Sequence, residues 1–371
     1  MTQQKKIAFA LIVHNPHDGV IYHHIVRTLK EDSWEYAILS AKSDNEPVTD
    51  KNILIINEDK SQNIRLILLK WLARVHPNYV FCDTPWAVAY LHHLGYKTIY
   101  HITEWYPSKK NLRGYPIWYR PIRFVLLAGA FLLACLLCDA IIAGEKYKSA
   151  LPKKLFPWKP QMLLTYYPSK WWFPIQNIKP LNSDNITFLY AGPATLEKGW
   201  YRVTSIVKLL SLKYPQKSFT LKVFSHDYSS IKNESFPGNV HLAITDEVPI
   251  EMFCKEILTA DICLDLRNID IENTHCLPIK MFYYMAGGKP MIYSDLKAIR
   301  KHFPDVMDFV YLVSPDDLST IVERIECYMF NPHLYMQHAQ KARCAFYTKY
   351  NWENIQCSLL DFMQRLIVAS N

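Results

Sequence analysis

The chain has 371 residues, half of them hydrophobic and 20% charged, with a formal net charge of +8. That length buries a large core and suits two domains, and that apolar content excludes a disordered chain. The nine cysteines are scattered; the close pair Cys135 and Cys138 sits in an apolar run without nearby histidines, so neither zinc nor a disulfide framework is implied and a reducing cytoplasm is expected.

The N-terminus is polar and runs directly into a strand, so no signal peptide is expected. Residues 6–13 read as a buried strand, and residues 14–19 as the loop at its carboxyl end. A helix follows over 20–30, with Ile21, Ile25, Val26 and Leu29 on one face. Strands over 36–40, 53–56, 79–82 and 97–101 alternate with helices over 64–76 and 86–94. Alternation of this kind implies a parallel, doubly wound sheet. No Gly-x-Gly-x-x-Gly occurs in this half. After residue 101 comes Ile102-Thr-Glu-Trp-Tyr-Pro107, where Glu104 either orients an acceptor hydroxyl and takes its proton or pairs locally in the loop.

Residues 124–143 (FVLLAGAFLLACLLCDAIIA) form the most hydrophobic window, long enough to span a membrane. Asp139 lies inside it, residues 139–144 read better as a strand, and the α/β pattern continues on both sides. A helix ending near Cys138 and partly buried against the sheet is therefore expected. Lys109, Lys110, Arg113, Arg120 and Arg123 precede it; Lys146, Lys148, Lys153 and Lys154 follow. Trp118, Tyr119, Trp158, Trp171 and Trp172 add aromatics of the interfacial kind. Apolar surface ringed by cations and tryptophan suits a protein lying on an anionic membrane surface; the plainer reading is a core helix with solvated basic loops. No nucleic-acid motif accompanies the charge, so no nucleic-acid partner is expected. Residues 162–168 read as the last strand of the first domain, and the proline-rich stretch 171–184 as an interdomain linker.

The second half opens with a strand over 186–190 and the loop Ala-Gly-Pro-Ala-Thr-Leu-Glu-Lys-Gly-Trp200. A helix over 200–213, strands over 219–224 and 240–244 and a helix over 250–258 follow. Residues 262–266 then form a short apolar strand, residues 267–275 a polar loop, and residues 280–286 a helix with Pro278 at its first position and Gly287-Gly288 at its end. The next strand begins at Met291. The loop of this unit lies at the carboxyl end of a strand, where open α/β sheets bind ligands, and the first amides of the helix suit a phosphate. A strand over 310–312, helices over 318–328 and 332–348, and a last helix opened by Tyr350-Asn-Trp-Glu353 and ending near Val368 complete the chain.

The run Leu277-Pro-Ile-Lys-Met-Phe-Tyr-Tyr-Met-Ala-Gly-Gly-Lys-Pro-Met-Ile-Tyr-Ser-Asp295 resembles the donor-site segment of family-4 retaining glycosyltransferases, which have the two-domain GT-B fold. Tyr283 stands where that family usually has a ribose-binding glutamate. His275 stands where a second glutamate is often found, with Glu272 nearby but out of register. Gly192, Glu197, Lys198 and Gly199 match the family's Gly-Arg…Glu-Lys-Gly pattern, with Pro193 in place of the arginine. Glu104, Tyr106 and Pro107 match an Asp-x-His-Glu-x-Tyr-Pro pattern, with His101 for the aspartate and Thr103 for the histidine.

The resemblance implies an α/β protein of two Rossmann-like doubly wound domains facing a cleft. Residues 1–170 would form an acceptor-side, membrane-facing domain, 171–185 a linker, 186–350 the donor domain, and 351–371 a helix crossing back to the first domain. The implied reaction moves a hexosyl-type sugar from a nucleoside-diphosphate sugar, with retention and without a bound metal or further cofactor. Glu104 and His275 would be catalytic. Lys198, Lys280 and the helix start at Leu277 and Pro278 would hold the diphosphate, and Asn273, Thr274 and His275 would meet sugar hydroxyls. Gly192, Glu272 and Tyr283 complete the donor side; His14, Asp18 and His101 mark the acceptor side. A lipid-linked or surface-polysaccharide acceptor would place a bacterial enzyme peripherally on the inner face of the cell membrane. Two other readings stay open: a non-catalytic sugar-nucleotide-binding relative, and a GT-B-type sugar-nucleotide epimerase.

Overall fold

The apolar runs become short strands, five of them buried along their whole length, as in parallel sheets covered on both faces. The first seven are β1 (Lys6–Leu11), β2 (Glu35–Ser40), β3 (Ile53–Ile55), β4 (Tyr79–Cys82), β5 (Thr98–Ile102), β6 (Ala140–Ala143) and β7 (Gln161–Leu163). They pair in the order β3-β2-β1-β4-β5-β6-β7, all parallel. β1 meets β4 in the register Ile7 to Tyr79 through Ala10 to Cys82. Successive strands run outward from this pair in both directions. The carboxyl ends of β1 and β4 are therefore the switch point at which doubly wound sheets accept ligands.

The second sheet repeats the plan. It holds β8 (Asn185–Ala191), β9 (Ser218–Phe224), β10 (Val240–Thr245), β11 (Ile262–Asp265), β12 (Met291–Ser294) and β13 (Val310–Val313). Their order is β10-β9-β8-β11-β12-β13, again all parallel. Its switch point lies at the carboxyl ends of β8 and β11. The computed structural model describes residues 5–42, 49–56, 64–104, 107–226, 231, 234–246 and 248–369. Two compact units result: Met1–Tyr166 with Ile355–Asn371, and Tyr167–Asn354.

In the first unit the helix Arg120–Leu137 buries only Phe131, Ala134 and Cys135. These pack with Val88, Leu91 and Tyr100 in the core. The rest of the apolar surface faces outward: Ile117 is 78% exposed, Trp118 73% and Val125 68%. Ile117–Leu137 is the one helical stretch among the described residues long and apolar enough to cross a membrane by length and composition. Cys138 is fully buried, and burial pushes its thiol up to about 12, as expected of a packed side chain.

Several boundaries differ from the sequence reading, each for a local reason. The basic stretch after β6 is a helix, Lys146–Leu155, with Pro152 inside it. Lys148 there pairs with Glu145 at 2.7 Å and donates to the Thr103 carbonyl at 2.6 Å, so it belongs to the fold. β7 stops at Leu163 instead of reaching residue 168. Pro278 is an extended N-cap and Ile279 opens the helix Ile279–Ala286. Residues 171–184 do not behave as a linker. Trp172, Phe173 and Leu181 are buried, and all three belong to the second unit. Trp172 stacks on Tyr283 with ring centroids 6.0 Å apart, so it does not serve as an interfacial aromatic. The Glu353 carboxylate accepts the Lys170 amide at 3.0 Å and the Ser169 hydroxyl. Glu353 thus anchors the start of the second unit, while the last helix, Gln356–Val368, begins three residues later and groups with the first unit. There Tyr79 donates its hydroxyl to the Leu366 carbonyl at 3.0 Å. Tyr106 and the side chains of Lys109 and Lys110 lie outside the described residues.

Candidate functional site

In the second unit the chain leaves β8 through Gly192, whose φ of +126° suits glycine. A Cβ added there would stand 2.8 Å from the Lys280 Nζ. The loop then reaches Gly199, which has a φ of +77° and caps the helix Trp200–Lys213. A Cβ on Gly199 would fall 1.9 Å from the Leu266 carbonyl oxygen. The loop after β8 therefore rests directly on the backbone after β11. Arg202, nearly buried, clamps the two together: it donates to the Leu266 carbonyl at 3.1 Å, to Asn268 Oδ1 at 2.7 Å and to Asp316 at 2.9 Å. The Asn268 amide returns a bond to the Glu197 carbonyl at 2.9 Å.

A buried charge cluster sits under these loops. Asp265, the last residue of β11, takes a two-pronged contact from Arg267, with Nε donating to Oδ1 at 2.7 Å. Both residues are nearly inaccessible. Burial opposes the charge on Asp265, but Arg267, Lys280 and Lys198 hold its carboxyl below the usual range. Burial likewise opposes the charge on Arg267, and Asp265 restores it. Lys280 donates to the Ala191 carbonyl. Desolvation pushes its pKa down to about 8, partly offset by Asp265 and reinforced by Arg267 and Lys198. Lys198, about one-third exposed, reaches Glu197 at 3.5 Å and donates to Asn273 Oδ1 at 3.4 Å. One carboxylate thus binds Arg267 and lies within electrostatic reach of Lys280 and Lys198 at the switch point, and the two lysines have ammonium groups that can turn toward an anion.

The loop after β11 supplies polar groups beside the cations. Asp270 Oδ1 accepts the amides of Glu272 and Asn273, which starts the short turn Asn273–His275. Asn273 is buried, and its Nδ2 has no hydrogen-bond partner. Thr274 is buried beside it. His275 turns its Nδ1–H to the Ile271 carbonyl at 2.8 Å. No side chain caps the helix that starts after Leu277 and Pro278; the Met281 amide turns back to the Pro278 carbonyl at 3.1 Å, which leaves the Ile279 and Lys280 amides at the helix start for a ligand.

The first unit gathers a second set of residues at its own switch point. Asp83, directly after β4, is 1% exposed. Its carboxylate accepts the amides of Ile12 and Val13 at 2.9 Å, the His14 amide at 3.3 Å and the His14 Nδ1–H at 2.9 Å. Burial works against protonation of His14, and Asp83, Asp18 and Glu104 outweigh it, so the imidazole pKa is raised. His101, fully buried, shares a 2.5 Å hydrogen bond with the Tyr166 hydroxyl; burial and the charges of His14 and Lys148 hold its pKa well below the ordinary value. A Cβ on Gly144 would meet the Tyr166 ring at 2.6 Å, so glycine is needed for that ring to sit there. Among the described residues no group of three or more His, Cys, Asp or Glu is placed to hold a metal.

No family model and no curated protein matches the chain by sequence. Solved structures do match it. Sucrose-phosphate synthase from Thermosynechococcus elongatus superposes with a TM-score of 0.71 at 14% identity, covering 99% of this chain and 100% of that one. HepE from Anabaena, in complex with UDP-glucose, gives 0.70 at 10% identity over 97% and 99% of the two chains. A glycosyltransferase from Rickettsia africae gives 0.69 at 12% identity over 98% and 99%. The chain has the GT-B fold.

Of the residues singled out by sequence, the GT-B fold brings Gly192, Lys198, Asn273 and Lys280 together around Asp265. Thr274, Leu277 and Pro278 lie on the same loop and helix start. Tyr283 lies elsewhere on its helix: it is 5% exposed and its ring faces Trp172, Phe173 and Phe253 at centroid distances of 6.0, 6.4 and 6.4 Å. Tyr284, one residue on and one turn after Lys280, lies within electrostatic reach of Asp265 and Arg267, as does Tyr293. In the first unit His14, Asp18 and Glu104 converge, with His101 beside them. Sequence reasoning missed Asp83, Arg202, Asp265 and Arg267. The available signal was a charged residue closing an apolar strand, as in Phe-Cys-Asp83 and Cys-Leu-Asp265.

Proposed function

We propose that the chain is a glycosyltransferase whose donor is a nucleoside-diphosphate sugar bound by the second unit. The observation that carries this is the convergence of Lys198, Lys280 and a helix start without a side-chain cap on one switch point, with the buried Asp265 within electrostatic reach of both lysines. A departing diphosphate develops negative charge, and preorganised cations and amides stabilise it without reorganising. Asn273 offers an unused Nδ2–H to a sugar or phosphate oxygen. HepE, of the same fold, has been solved with UDP and with UDP-glucose, which makes those compounds the first probes.

The finer reading follows the sequence resemblance. Transfer proceeds with retention and without a bound metal, since lysines and helix amides meet the diphosphate charge. Glu104 and His275 stay as catalytic candidates, with Thr274 and Glu272 next to the sugar. The acceptor is a lipid-linked or surface-polysaccharide saccharide taken by the first unit near His14, Asp18 and His101. The exposed apolar helix, with Trp118 and Trp158 exposed and Arg113, Arg120 and Arg123 nearby, supports contact with an anionic membrane surface, and so a peripheral place on the inner face of a bacterial cell membrane.

A thermal-shift screen of nucleoside diphosphates and sugar nucleotides tests the donor reading, because a ligand that binds only the native state raises the melting temperature. At least one diphosphate should shift it by several degrees. A flat response across the panel at millimolar ligand would refute the reading.

A further inference from the structure

A cavity opens at the amino edge of the first sheet, where β2 outruns its edge neighbour. β3 begins with Ile53 opposite Ile38, so Glu35, Tyr36 and Ala37 at the start of β2 have no strand beside them on that side. The last turn of the helix Ile64–Val75 and the residues leading into β3 wall the notch, which holds a cavity of about 670 Å³. Lys6, the first residue of β1, and Trp34, just before β2, also border it. The carboxyl ends of β1 and β4 lie at the opposite edge of the sheet. The six residues of β1 separate the two edges, about 20 Å at ~3.3 Å per residue. The cavity is therefore distinct from the group of residues around Asp83.

Its wall carries four cations, Lys6, Lys30, Lys51 and Arg74, against one carboxylate, Glu35. Glu35 pairs with Lys6 at 3.4 Å. Lys30, Lys51 and Arg74 are exposed, and among the described residues none of the three forms an ion pair. Asp50 lies within electrostatic reach of Lys30, but its carboxylate accepts the hydroxyls of Tyr22, at 3.2 Å, and of Tyr36. Lys30 and Arg74 stand in the last turns of their helices, where a cation complements the helix dipole. That placement does not explain Lys51, which belongs to no helix, nor the rings beside the cations. Lys30 lies 5.9 Å from the centre of the Tyr36 ring. Trp34 and Tyr36 are buried in the wall, whereas Trp71 is only partly covered.

We propose that this cavity binds an organic phosphate with a ring body, about the size of a nucleoside monophosphate, with the phosphate on Lys30, Lys51 and Arg74 and the ring against Trp71. Its volume falls among those of small-molecule sites, ~300–1,000 Å³. A phosphate presents up to two charges and several acceptor oxygens. Arg74 offers it a planar fork of donors, and the two lysines offer point charges. An indole face favours a flat or apolar ring surface. Asn52, on the same wall, can donate to or accept from the ring's polar edge. The site does not depend on the transferase reading.

Titration calorimetry of the full chain tests it with a nested series: inorganic phosphate, ribose 5-phosphate and adenosine monophosphate. Both ring compounds should bind more tightly than inorganic phosphate, and the tighter of the two tells whether the ring is a sugar or a base. Replacing Lys51 and Arg74 together by glutamine should weaken that ligand about tenfold or more, since each removes a charge-assisted contact. Trp71→Leu should erase most of its margin over inorganic phosphate. The indole N–H resonance of Trp71, assigned by its loss in Trp71→Leu, should shift as the ligand is added. A ligand held by the second unit would depend on Lys280 instead, so Lys280→Ala should bind the tighter ring compound as the wild type does. No binding at millimolar ligand, inorganic phosphate binding as tightly as either ring compound, or loss of binding in Lys280→Ala would overturn the proposal.

Discussion

Replacing Lys280 by alanine isolates the contribution of a cation that the free protein holds at a disadvantage. Its ammonium is buried, it donates to the Ala191 carbonyl, and desolvation has brought its pKa down to about 8. Deletion leaves one carbonyl short of a donor, a loss of about 1–3 kcal/mol, but it also relieves the burial of a charge, so folding stability should change little. Nucleotide affinity should change much more. A charge-assisted bond to a phosphate contributes roughly 1.5–3 kcal/mol, which is about 10- to 150-fold in Kd at 1.4 kcal/mol per decade. The pH dependence gives the sharper signature. The binding form is the protonated lysine, and with a lowered pKa that charge disappears as pH climbs through about 8. Wild-type affinity for UDP should then weaken above pH 8 by up to about tenfold per unit, by linkage. Binding near pH 8–9 should also draw a proton from solution, because a bound anion raises the lysine pKa again. Titration calorimetry in buffers of different ionisation enthalpy measures both effects. Lys280→Ala should show weak binding with neither the slope nor the proton uptake. A folded Lys280→Ala that binds UDP as tightly as the wild type, with the same pH slope, would place the diphosphate elsewhere.

Gly199→Ala should destabilise the second unit by more than the ~1–2 kcal/mol that a left-handed backbone imposes on a side chain, because its Cβ would also fall 1.9 Å from the Leu266 oxygen; thermal melting should show a clear fall in Tm. Tyr283→Phe should leave UDP affinity within about twofold, since the ring is packed against Trp172 and Phe253, whereas Tyr283→Ala should lower stability by about 3–5 kcal/mol. The protein should pellet with phosphatidylglycerol vesicles and release as salt rises, because salt screens exposed charges; neutralising Arg113, Arg120 and Arg123 together should reduce the pelleted fraction, and equal recovery in the supernatant with and without vesicles would exclude membrane contact.

Much of the fold was readable because a buried parallel strand shows itself as four or more consecutive apolar residues, as in β1, β4 and β6. Lys198 and Lys280 were also readable, since glycines and a proline mark the loop and helix start that carry them. The residues that organise each site were harder to see. Asp83 acts on residues 69 to 71 positions away, and a lone aspartate closing a strand looks the same in sequence whether it caps a loop or merely meets water. Arg267 read as an ordinary loop residue because nothing in its neighbourhood shows that Asp265 is buried beside it. The stretch after Trp171 misled in the opposite sense. Its prolines suggested a spacer, but the rings between them fill space around Tyr283, and only packing reveals that. Pro278 was displaced by one position because a proline is as comfortable at the extended cap as in the first turn.

The missing side chain of Gly192 holds open the space in which the Lys280 ammonium sits. Those two positions, 88 residues apart in sequence, are therefore a single heritable trait. Any side chain at 192 evicts the amine, after which selection has nothing to preserve at 280. Loss of the lysine removes one of two reasons for the glycine, the other being its φ of +126°. In a set of relatives the lysine should therefore be found only with the glycine, while the glycine can persist without the lysine.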